Sequence, residues 1–202
     1  MKIICIGKNY LCHIKEMGQN NNSKKPIFFL KPDTAISQIK NVFFIPDFST
    51  QIEHEIELVI KINKIGKNID SKFAHKYYDK ITVGIDFTAR DLQKQCKEKG
   101  LPWEISKAFD SSAIIGEFFD IKEFKKNIKF QLYKNEKIIQ TGNSKDMIFN
   151  TNQIISHISK YITLKIGDLI FTGTPAGVSE VEKNDILVGY IEEKKAFQVS
   201  VK

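Results

Sequence analysis

The sequence predicts a mainly β protein with short helices, a fold of the α+β class. Short runs rich in β-branched and aromatic residues recur along the chain, separated by Pro, Gly, Asn or Asp, which is typical of strands and turns. These runs cover residues 2–6, 27–30, 41–45, 52–62, 80–87, 128–132, 168–172 and 197–201. Three stretches have helical features instead, at residues 11–17, 88–99 and 151–161. With 202 residues the chain is long enough to bury a sizeable core, and we expect one domain over residues 1–202.

The N-terminal segment predicts a strand, a turn and a short helix. Residues 2–6 alternate loosely and predict a strand, residues 7–10 (Gly-Lys-Asn-Tyr) are typical of a turn, and Gly18 ends the helix at 11–17. The polar residues 19–25 then predict a flexible loop. We therefore expect residues 11–25 to form a mobile lid helix and loop.

The two later helices are predicted from their end signals and their apolar face. The helix at 88–99 stops at Gly100, which is a common C-terminal signal. In the helix at 151–161, one face carries Ile154, Ile155, Ile158 and Ile162.

The composition excludes several classes of protein. Hydrophobic residues at 42% and charged residues at 27% are ordinary globular values. No segment approaches the roughly 18 consecutive apolar residues of a membrane span. Three widely spaced cysteines without a CxxC pair argue against disulfides or a zinc knuckle, and the N-terminus lacks a signal-peptide core. We expect a cytoplasmic protein.

The net charge of +7 raises the question of nucleic-acid binding. Of the 31 basic residues, however, all but Arg90 are lysine. Arginine is the preferred side chain for forked contacts to phosphates and base edges, and no lysine cluster is interleaved with aromatic residues. The charge therefore does not favour a nucleic-acid partner.

Three acidic residues alternate in the run at 52–62, where Glu53, Glu55 and Glu57 share one face of the predicted strand. A solvated strand face is the alternative, but the run continues directly into apolar residues 58–60, which favours burial. Buried carboxylates repel one another unless a cation neutralises them, and Mg²⁺ or Mn²⁺ prefers such oxygen ligands. Asp86, at the end of the run at 80–87, is a further candidate ligand, and a helix N-cap is its alternative role.

Other residues offer acid–base and anion-binding chemistry. His13 and Glu16 lie three apart in a helix, so they form either a general-base dyad or a surface ion pair. Lys107 lies among apolar neighbours, where a charge needs an anionic partner. Arg90 is the one arginine in a sequence that otherwise uses lysine. Its presence indicates that this position requires the shape of a guanidinium, for example for a forked contact to a carboxylate. The turn that contains Thr174 follows a strand and can receive a carboxylate through its hydroxyl and N–H groups.

These segments, in this order, resemble the fumarylacetoacetate hydrolase family, and within it the short branch of acylpyruvate hydrolases and oxaloacetate decarboxylases or tautomerases. The segments that carry the resemblance are ICIGKNYLCHIKEM, PIFFLKP, IEHEIELVI, VGIDFTARDLQ, KGLPWEISKAFD and GDLIFTGTPAGV. The resemblance implies a mixed β-roll like the family's C-terminal domain, and a homodimer. It also implies an Mg²⁺-dependent enzyme, with Mn²⁺ as the alternative metal, that acts on a small 2-oxo acid through a metal-bound enolate.

The resemblance also implies a role for each candidate residue. Glu55, Glu57 and Asp86 would bind the metal, and Glu53 stays outside the ligand set. The catalytic residues would be His13, Glu16 and Lys107, and the substrate-binding residues would be Arg90, Gln93 and Thr174. One departure from the family pattern is Lys8, which stands where the family's Gly-Arg-Asn-Tyr turn has arginine.

The expected reaction is hydrolysis of acylpyruvates, or decarboxylation or enol–keto tautomerisation of oxaloacetate. The alternative within enzymes is isomerisation of 2-hydroxyhepta-2,4-diene-1,7-dioate, or decarboxylation of 5-oxopent-3-ene-1,2,5-tricarboxylate, in aromatic degradation. A non-catalytic binding protein is the more distant alternative.

Overall fold

The computed structural model of the chain describes residues 1–18, 23–37 and 41–202. Within these residues the chain forms fifteen strands and four α-helices. The strands are β1 (Ile3–Gly7), β2 (Ile27–Lys31), β3 (Val42–Phe43), β4 (Ile52–His54), β5 (Ile56–Ile62), β6 (Tyr78–Asp86), β7 (Thr88–Ala89), β8 (Ala113–Ile115), β9 (Phe119–Asp120), β10 (Lys129–Lys134), β11 (Lys137–Asn143), β12 (Leu169–Phe171), β13 (Ser179–Glu180), β14 (Ile186–Ile191) and β15 (Lys194–Val201). The helices are α1 (Leu11–Glu16), α2 (Arg90–Lys99), α3 (Glu104–Lys107) and α4 (Thr151–Ser159). The predicted mainly β class with short helices is confirmed.

The largest sheet joins distant parts of the chain. Its strand order is β2-β1-β12-β5-β6-β8, with β9 also paired to β6. β1 and β12 are parallel, with Ile3 opposite Leu169, while the other pairs are antiparallel, so the sheet is mixed. The sheet thus places the turn after β1, the start of β5 and the end of β6 near one another.

Two smaller sheets complete the β architecture. The first has the order β11-β10-β14-β15-β3, and the second has the order β13-β4-β7. Strands β14 and β15 contact β6, so the five-stranded sheet packs against the large one. Side chains from both sheets share one apolar core that includes Leu58, Ile81, Phe130 and Leu187. Burying each such side chain contributes roughly 1.5–3 kcal/mol.

The run at 52–62 is two strands rather than the single strand that its alternation predicts. β4 pairs with β7 and β13, β5 pairs with β6 and β12, and Glu55 lies in the break between β4 and β5. The Glu55 carbonyl accepts the N–H of Asp86 at 2.9 Å. The single-strand prediction was wrong here because the chain passes from one sheet to another at Glu55.

The helices begin and end close to where their signals predict. Gly18 (φ 62°) follows α1, and Gly100 (φ 63°) caps α2 in the left-handed conformation. α4 begins with a capping box in which Asn150 and Gln153 exchange hydrogen bonds. Residues 88–89 form β7 instead of the first turn of α2, and neither Asp86 nor Thr88 caps that helix.

The predicted lid falls only partly within the described residues. Residues 19–22 of the expected flexible loop lie outside them. In the described part, α1 buries Ile14. The mobility of residues 11–25 therefore stays a prediction. None of the helices in the described ranges has the length and apolar character that crossing a bilayer requires.

Candidate active site

Three carboxylates meet in the interior between β5 and β6. Glu55 lies just before β5, Glu57 lies within β5, and Asp86 ends β6. All three side chains are buried, and one oxygen from each lies within 4.8 Å of the other two. The alternation at 52–62 puts Glu55 and Glu57 on the same side despite the strand break. Glu53 lies apart from this cluster, because its carboxylate binds Arg90 and Gln51.

Glu57 also receives a backbone donor from the turn that contains Thr174. The Gly173 N–H donates to Glu57 Oε2 at 2.6 Å. Gly173 has φ 102°, and a Cβ there would lie 2.7 Å from the Cβ of Asn9, so the position requires glycine. Asn9 is itself buried and donates to the Thr172 carbonyl at 2.7 Å. The turn after β1 and the turn after β12 are thereby fixed against each other.

Two buried lysines neutralise part of the acidic cluster. Lys107 Nζ lies 2.9 Å from Glu55 Oε2 and 2.8 Å from Asp86 Oδ2, and it also donates to Thr88 Oγ1 at 2.5 Å. Lys31 Nζ lies 2.8 Å from Asp86 Oδ1 and donates to the Lys107 carbonyl and to Ser112 Oγ. Sequence reasoning missed Lys31, although it lies in the PIFFLKP segment that carries the family resemblance.

Burial and neighbouring charges shift the pKa values of these groups in different directions. Burial raises the pKa of Glu57 well above its usual range, and the adjacent Asp86 and Glu55 raise it further. Burial also acts to raise the pKa of Glu55, but Lys107 and Arg90 outweigh it and lower that pKa. Burial acts to lower the pKa of Lys107, but Asp86 and Glu55 raise it, so the ammonium stays charged.

The donor set of the acidic cluster fits a divalent cation. Asp86 Oδ1 accepts no hydrogen bond from the described residues, since its Lys31 contact has the distance of an ion pair but not hydrogen-bond geometry. A buried carboxylate oxygen with an ion pair but no hydrogen bond is unusual, and so is a carboxyl such as that of Glu57, whose pKa two neighbouring carboxylates raise. A cation bound by the three carboxylates would give Asp86 Oδ1 a further partner and would oppose the rise in the pKa of Glu57. Hard oxygen donors of this kind suit Mg²⁺ or Mn²⁺.

The guanidinium of Arg90 makes a forked contact, but its partners are carboxylates of the protein itself. Its Nε donates to Glu53 Oε2 at 2.5 Å and its Nη2 donates to Glu55 Oε1 at 2.7 Å, while Nη1 binds Gln93 Oε1 at 2.6 Å. The guanidinium is largely buried. The forked contact that the lone arginine predicted is thus made within the protein, and direct substrate contact by Arg90 stays a prediction.

His13 and Glu16 form a pair on α1 that faces the acidic cluster. His13 Nδ1 lies 3.2 Å from Glu16 Oε2, and the other Glu16 oxygen accepts the Gly177 N–H at 2.9 Å. His13 lines the same cavity as Glu55, Glu57, Asp86 and Lys107. Because Glu16 holds Nδ1, the opposite ring nitrogen is left for the cavity. The pair therefore borders this cavity, and its role as a catalytic dyad stays a prediction.

A buried network behind Thr174 sets the direction of its hydroxyl. Gln140 Oε1 accepts the Ile56 N–H at 3.1 Å, which fixes the amide so that Nε2 donates to Thr174 Oγ1 at 3.0 Å. Because the hydroxyl oxygen of Thr174 accepts this bond, its proton remains available to donate. The hydroxyl makes a long contact of 3.5 Å to the Pro175 carbonyl. Thr174 lines the cavity, so this proton is available to an anion there.

His54 supports the same network. Its Nδ1 donates to Gln140 Oε1 at 2.9 Å and its Nε2 accepts from Ser179 Oγ at 2.8 Å. Burial lowers the pKa of His54 to about 4, which agrees with a neutral ring in this tautomer. Sequence reasoning missed both Gln140 and His54, because their partners are distant in the chain.

The family of the chain follows from comparison with known proteins. The model of the fumarylacetoacetate (FAA) hydrolase C-terminal family matches residues 2–200. The chain belongs to the fumarylacetoacetate hydrolase family. Its resemblance to that family, noted from the motifs, is confirmed.

Individual relatives in the family carry names of several enzymes. Oxaloacetate tautomerase FAHD1, mitochondrial, from Mus musculus is 37% identical over 99% of this chain and 91% of the mouse protein. The crystal structure of fumarylpyruvate hydrolase from Pseudomonas aeruginosa in complex with Mn²⁺ and pyruvate has a TM-score of 0.93 at 33% identity, covering 100% of this chain and 89% of that one. The 2-hydroxyhepta-2,4-diene-1,7-dioate isomerase from Mycobacterium marinum has a TM-score of 0.84 at 30% identity, covering 99% and 73%. These structures confirm the expected family fold.

Lys8 marks where this family member departs from the usual turn. Lys8 adopts φ 59°, in the left-handed region, and its side chain lines the cavity with His13 and Gln93. The cation is kept at this position, but the fork of arginine is lost. Asp110, three residues after Lys107, is exposed.

Proposed function

We propose that the chain is an Mg²⁺-dependent enzyme that converts small 2-oxo acids through an enolate, with Mn²⁺ as the alternative metal. The reactions we propose are tautomerisation or decarboxylation of oxaloacetate and hydrolysis of acylpyruvates. The observation that carries the proposal is that the buried Glu55, Glu57 and Asp86 face one cavity together with the His13–Glu16 pair and Lys107. The mouse and P. aeruginosa relatives support this choice of substrates.

The metal would be held by Glu55, Glu57 and Asp86, whose donor chemistry fits it. When bound, it supplies a Lewis acid that polarises the 2-oxo carbonyl and stabilises negative charge on its oxygen. The Mn²⁺ in the P. aeruginosa relative supports a divalent cation here. The choice of Mg²⁺ rests on the all-carboxylate donor set.

The protein side chains then divide the remaining chemistry. Lys107, already charged beside Glu55 and Asp86, stabilises the oxyanion of the enolate. The free ring nitrogen of His13 removes a proton from C3 of oxaloacetate, and Glu16 stabilises the imidazolium. In tautomerisation that proton is then delivered to the C2 oxygen. In decarboxylation no C3 proton is removed: the C3–C4 bond breaks, CO₂ leaves, and the resulting enolate of pyruvate is protonated at C3. Thr174 and Gln93 donate hydrogen bonds to the substrate carboxylate.

Hydrolysis of an acylpyruvate uses the same groups with water as the nucleophile. His13 takes a proton from water as the water oxygen attacks the acyl carbonyl. The C–C bond then breaks to give a carboxylic acid and the enolate of pyruvate, which is protonated at C3. Pyruvate is the molecule bound in the P. aeruginosa relative, which supports this reaction.

The test is a panel of 2-oxo acids assayed with the purified chain. Oxaloacetate, fumarylpyruvate and acetylpyruvate should be converted with Mg²⁺ or Mn²⁺, and EDTA should abolish turnover. His13→Ala should lose hydrolysis while calorimetric binding of Mn²⁺ is retained, and Asp86→Asn should lose both. Glu98→Gln, on the exposed side of α2, is the matched control. Full activity of Asp86→Asn would refute the metal site, and inactivity on the whole panel would refute the proposed reactions.

A second candidate is isomerisation of 2-hydroxyhepta-2,4-diene-1,7-dioate. The observation in its favour is the fold shared with the M. marinum isomerase at 30% identity. Adding this dienoate to the panel separates the two, since the substrate with the highest kcat/KM identifies the reaction. Binding of metal and pyruvate without any turnover would instead support a non-catalytic binding protein.

We also propose that residues 1–202 act as one catalytic domain, that the chain forms a homodimer, and that it works in the cytoplasm. The span of the family model over residues 2–200 supports the first point. Three free cysteines support a reducing compartment. Light scattering after size-exclusion chromatography tests the dimer.

A further inference from the structure

Lys97 lines the cavity from the last turn of α2. It lies four residues after Gln93, so both side chains project from one face of the helix. Lys97 Nζ donates to Gln93 Oε1 at 2.9 Å and lies 5.5 Å from the centre of the Trp103 ring. Lys97, Gln93, Trp103 and Lys8 all line the cavity that holds the acidic cluster.

The cations of the cavity differ in whether they have a carboxylate partner. Lys31, Arg90 and Lys107 each form ion pairs with buried carboxylates. Lys97 and Lys8, by contrast, form no ion pair with any carboxylate in residues 1–18, 23–37 and 41–202. The mouth of the cavity therefore carries positive charge that the protein does not neutralise.

The surroundings of Lys97 make an anion favourable there. Burial lowers the pKa of Lys97 to about 8, and the positive Arg90, Lys107 and Lys8 contribute. Lys97 is an exposed residue and lines the cavity, so a ligand from solvent can reach it. A carboxylate at this point would oppose the repulsion among these cations and accept a charge-assisted hydrogen bond.

We propose that Lys97, with Lys8 beside it, binds the second carboxylate of a dicarboxylic 2-oxo acid and sets the preference for dicarboxylic over monocarboxylic substrates. The inference rests on the proposed function, since the acidic cluster must hold the 2-oxo acid end. Thr174 and Gln93 then contact the first carboxylate, and Trp103 flanks the carbon chain. The donors of Arg90 are already bound to Glu53, Glu55 and Gln93. We therefore assign the second carboxylate to the two lysines and not to Arg90.

The test compares a dicarboxylic and a monocarboxylic substrate on Lys97→Met and Lys97→Glu. The ratio of kcat/KM for fumarylpyruvate over acetylpyruvate should fall about tenfold or more in Lys97→Met, because a hydrogen bond to a charged group is lost. Lys97→Glu should lower the ratio further through repulsion. Lys94→Met removes an exposed lysine of the same helix and should leave the ratio unchanged. An unchanged ratio in Lys97→Met would overturn the proposal.

A binding measurement keeps this result separate from the proposed function. Calorimetry with Mn²⁺ compares the Kd values of oxaloacetate and pyruvate, which share the 2-oxo acid end but differ in the second carboxylate. In the unchanged protein oxaloacetate should bind more tightly than pyruvate, and Lys97→Met should reduce that difference. Equal affinities in the unchanged protein would overturn the subsite even if turnover is found. A persistent difference without turnover would refute only the reactions.

Discussion

Replacing Gln140 with leucine tests the buried network behind Thr174. Gln140 is 1% exposed, and its amide makes four hydrogen bonds: to the Ile56 N–H, to His54 Nδ1, to Thr174 Oγ1 and to the Pro175 carbonyl. Leucine has a similar size but offers no donor or acceptor. The substitution therefore removes every one of these bonds while leaving little empty space.

The expected loss of stability follows from the groups left without partners. A buried donor or acceptor that loses its partner costs about 1–3 kcal/mol, and two buried groups, the Ile56 N–H and the His54 ring N–H, lose theirs, whereas the Pro175 carbonyl keeps its contact with the Thr174 hydroxyl. We expect the free energy of unfolding to fall by about 3 kcal/mol. For a chain of this length each kcal/mol corresponds to roughly 2–4 °C, so Tm should fall by roughly 6–12 °C.

Urea unfolding followed by circular dichroism measures this loss, with Gln131→Leu as the control. Gln131 lies on the neighbouring strand β10 and makes one hydrogen bond, to Thr141 at 3.4 Å. Its replacement should change stability by less than about 0.5 kcal/mol. Equal effects of the two substitutions would refute the importance of the buried network.

Kinetics of the same variant test the hydroxyl direction of Thr174. Without the Gln140 donor, the Thr174 proton is free to turn toward the Pro175 carbonyl, so KM should rise. In a Thr174→Val background, Gln140→Leu should add little further increase in KM. Independent effects of the two substitutions on KM would contradict coupling through the hydroxyl.

Three further outcomes are expected. Mg²⁺ at 100 times its Kd should stabilise the chain by about 2.7 kcal/mol, and EDTA should reverse the rise in Tm measured by scanning calorimetry; no rise would contradict a metal site. Arg90→Lys keeps the positive charge, but a lysine cannot make a forked contact to Glu55 and a second group. We therefore expect kcat/KM to fall about tenfold. An unchanged kcat/KM would show that the charge alone suffices. KM for oxaloacetate, measured between pH 6 and 10, should rise above about pH 8, because Lys97 loses its proton there. The charged groups that face Lys97 are Arg90, Glu55, Lys107 and Lys8. A flat KM profile in that range would exclude this titration.

The acidic cluster and the dyad were predictable because their patterns are local. Alternation at 52–62 puts Glu55 and Glu57 on one side, and spacing of three puts His13 and Glu16 together. The break at Glu55 was not predictable, since it depends on which sheet each half of the run joins. Strands β8, β11 and β14 were also missed, and β11 buries the polar Gln140 while its Ile138 is exposed.

Lys31 and Gln140 show the limit of a single sequence more directly. Lys31 is one of many lysines, and its partners Asp86, Lys107 and Ser112 lie far from it in the chain. Gln140 gains its role only after folding brings Ile56 and Thr174 to opposite ends of its amide. Neither contact leaves a periodic signal, because no spacing rule connects residues so far apart.

The parallel pairing of β1 with β12 also constrains the order in which the molecule folds. Ile3 and Leu169 are neighbours in the sheet although 165 residues separate them, and the turn after β12 supplies the Gly173 donor to Glu57. A nascent chain that has not yet reached β12 lacks this backbone donor, so its three carboxylates have one fewer stabilising contact. Contacts of such long range slow folding, since loop closure must precede them. The acidic cavity is therefore completed late, when almost the whole chain has been synthesised.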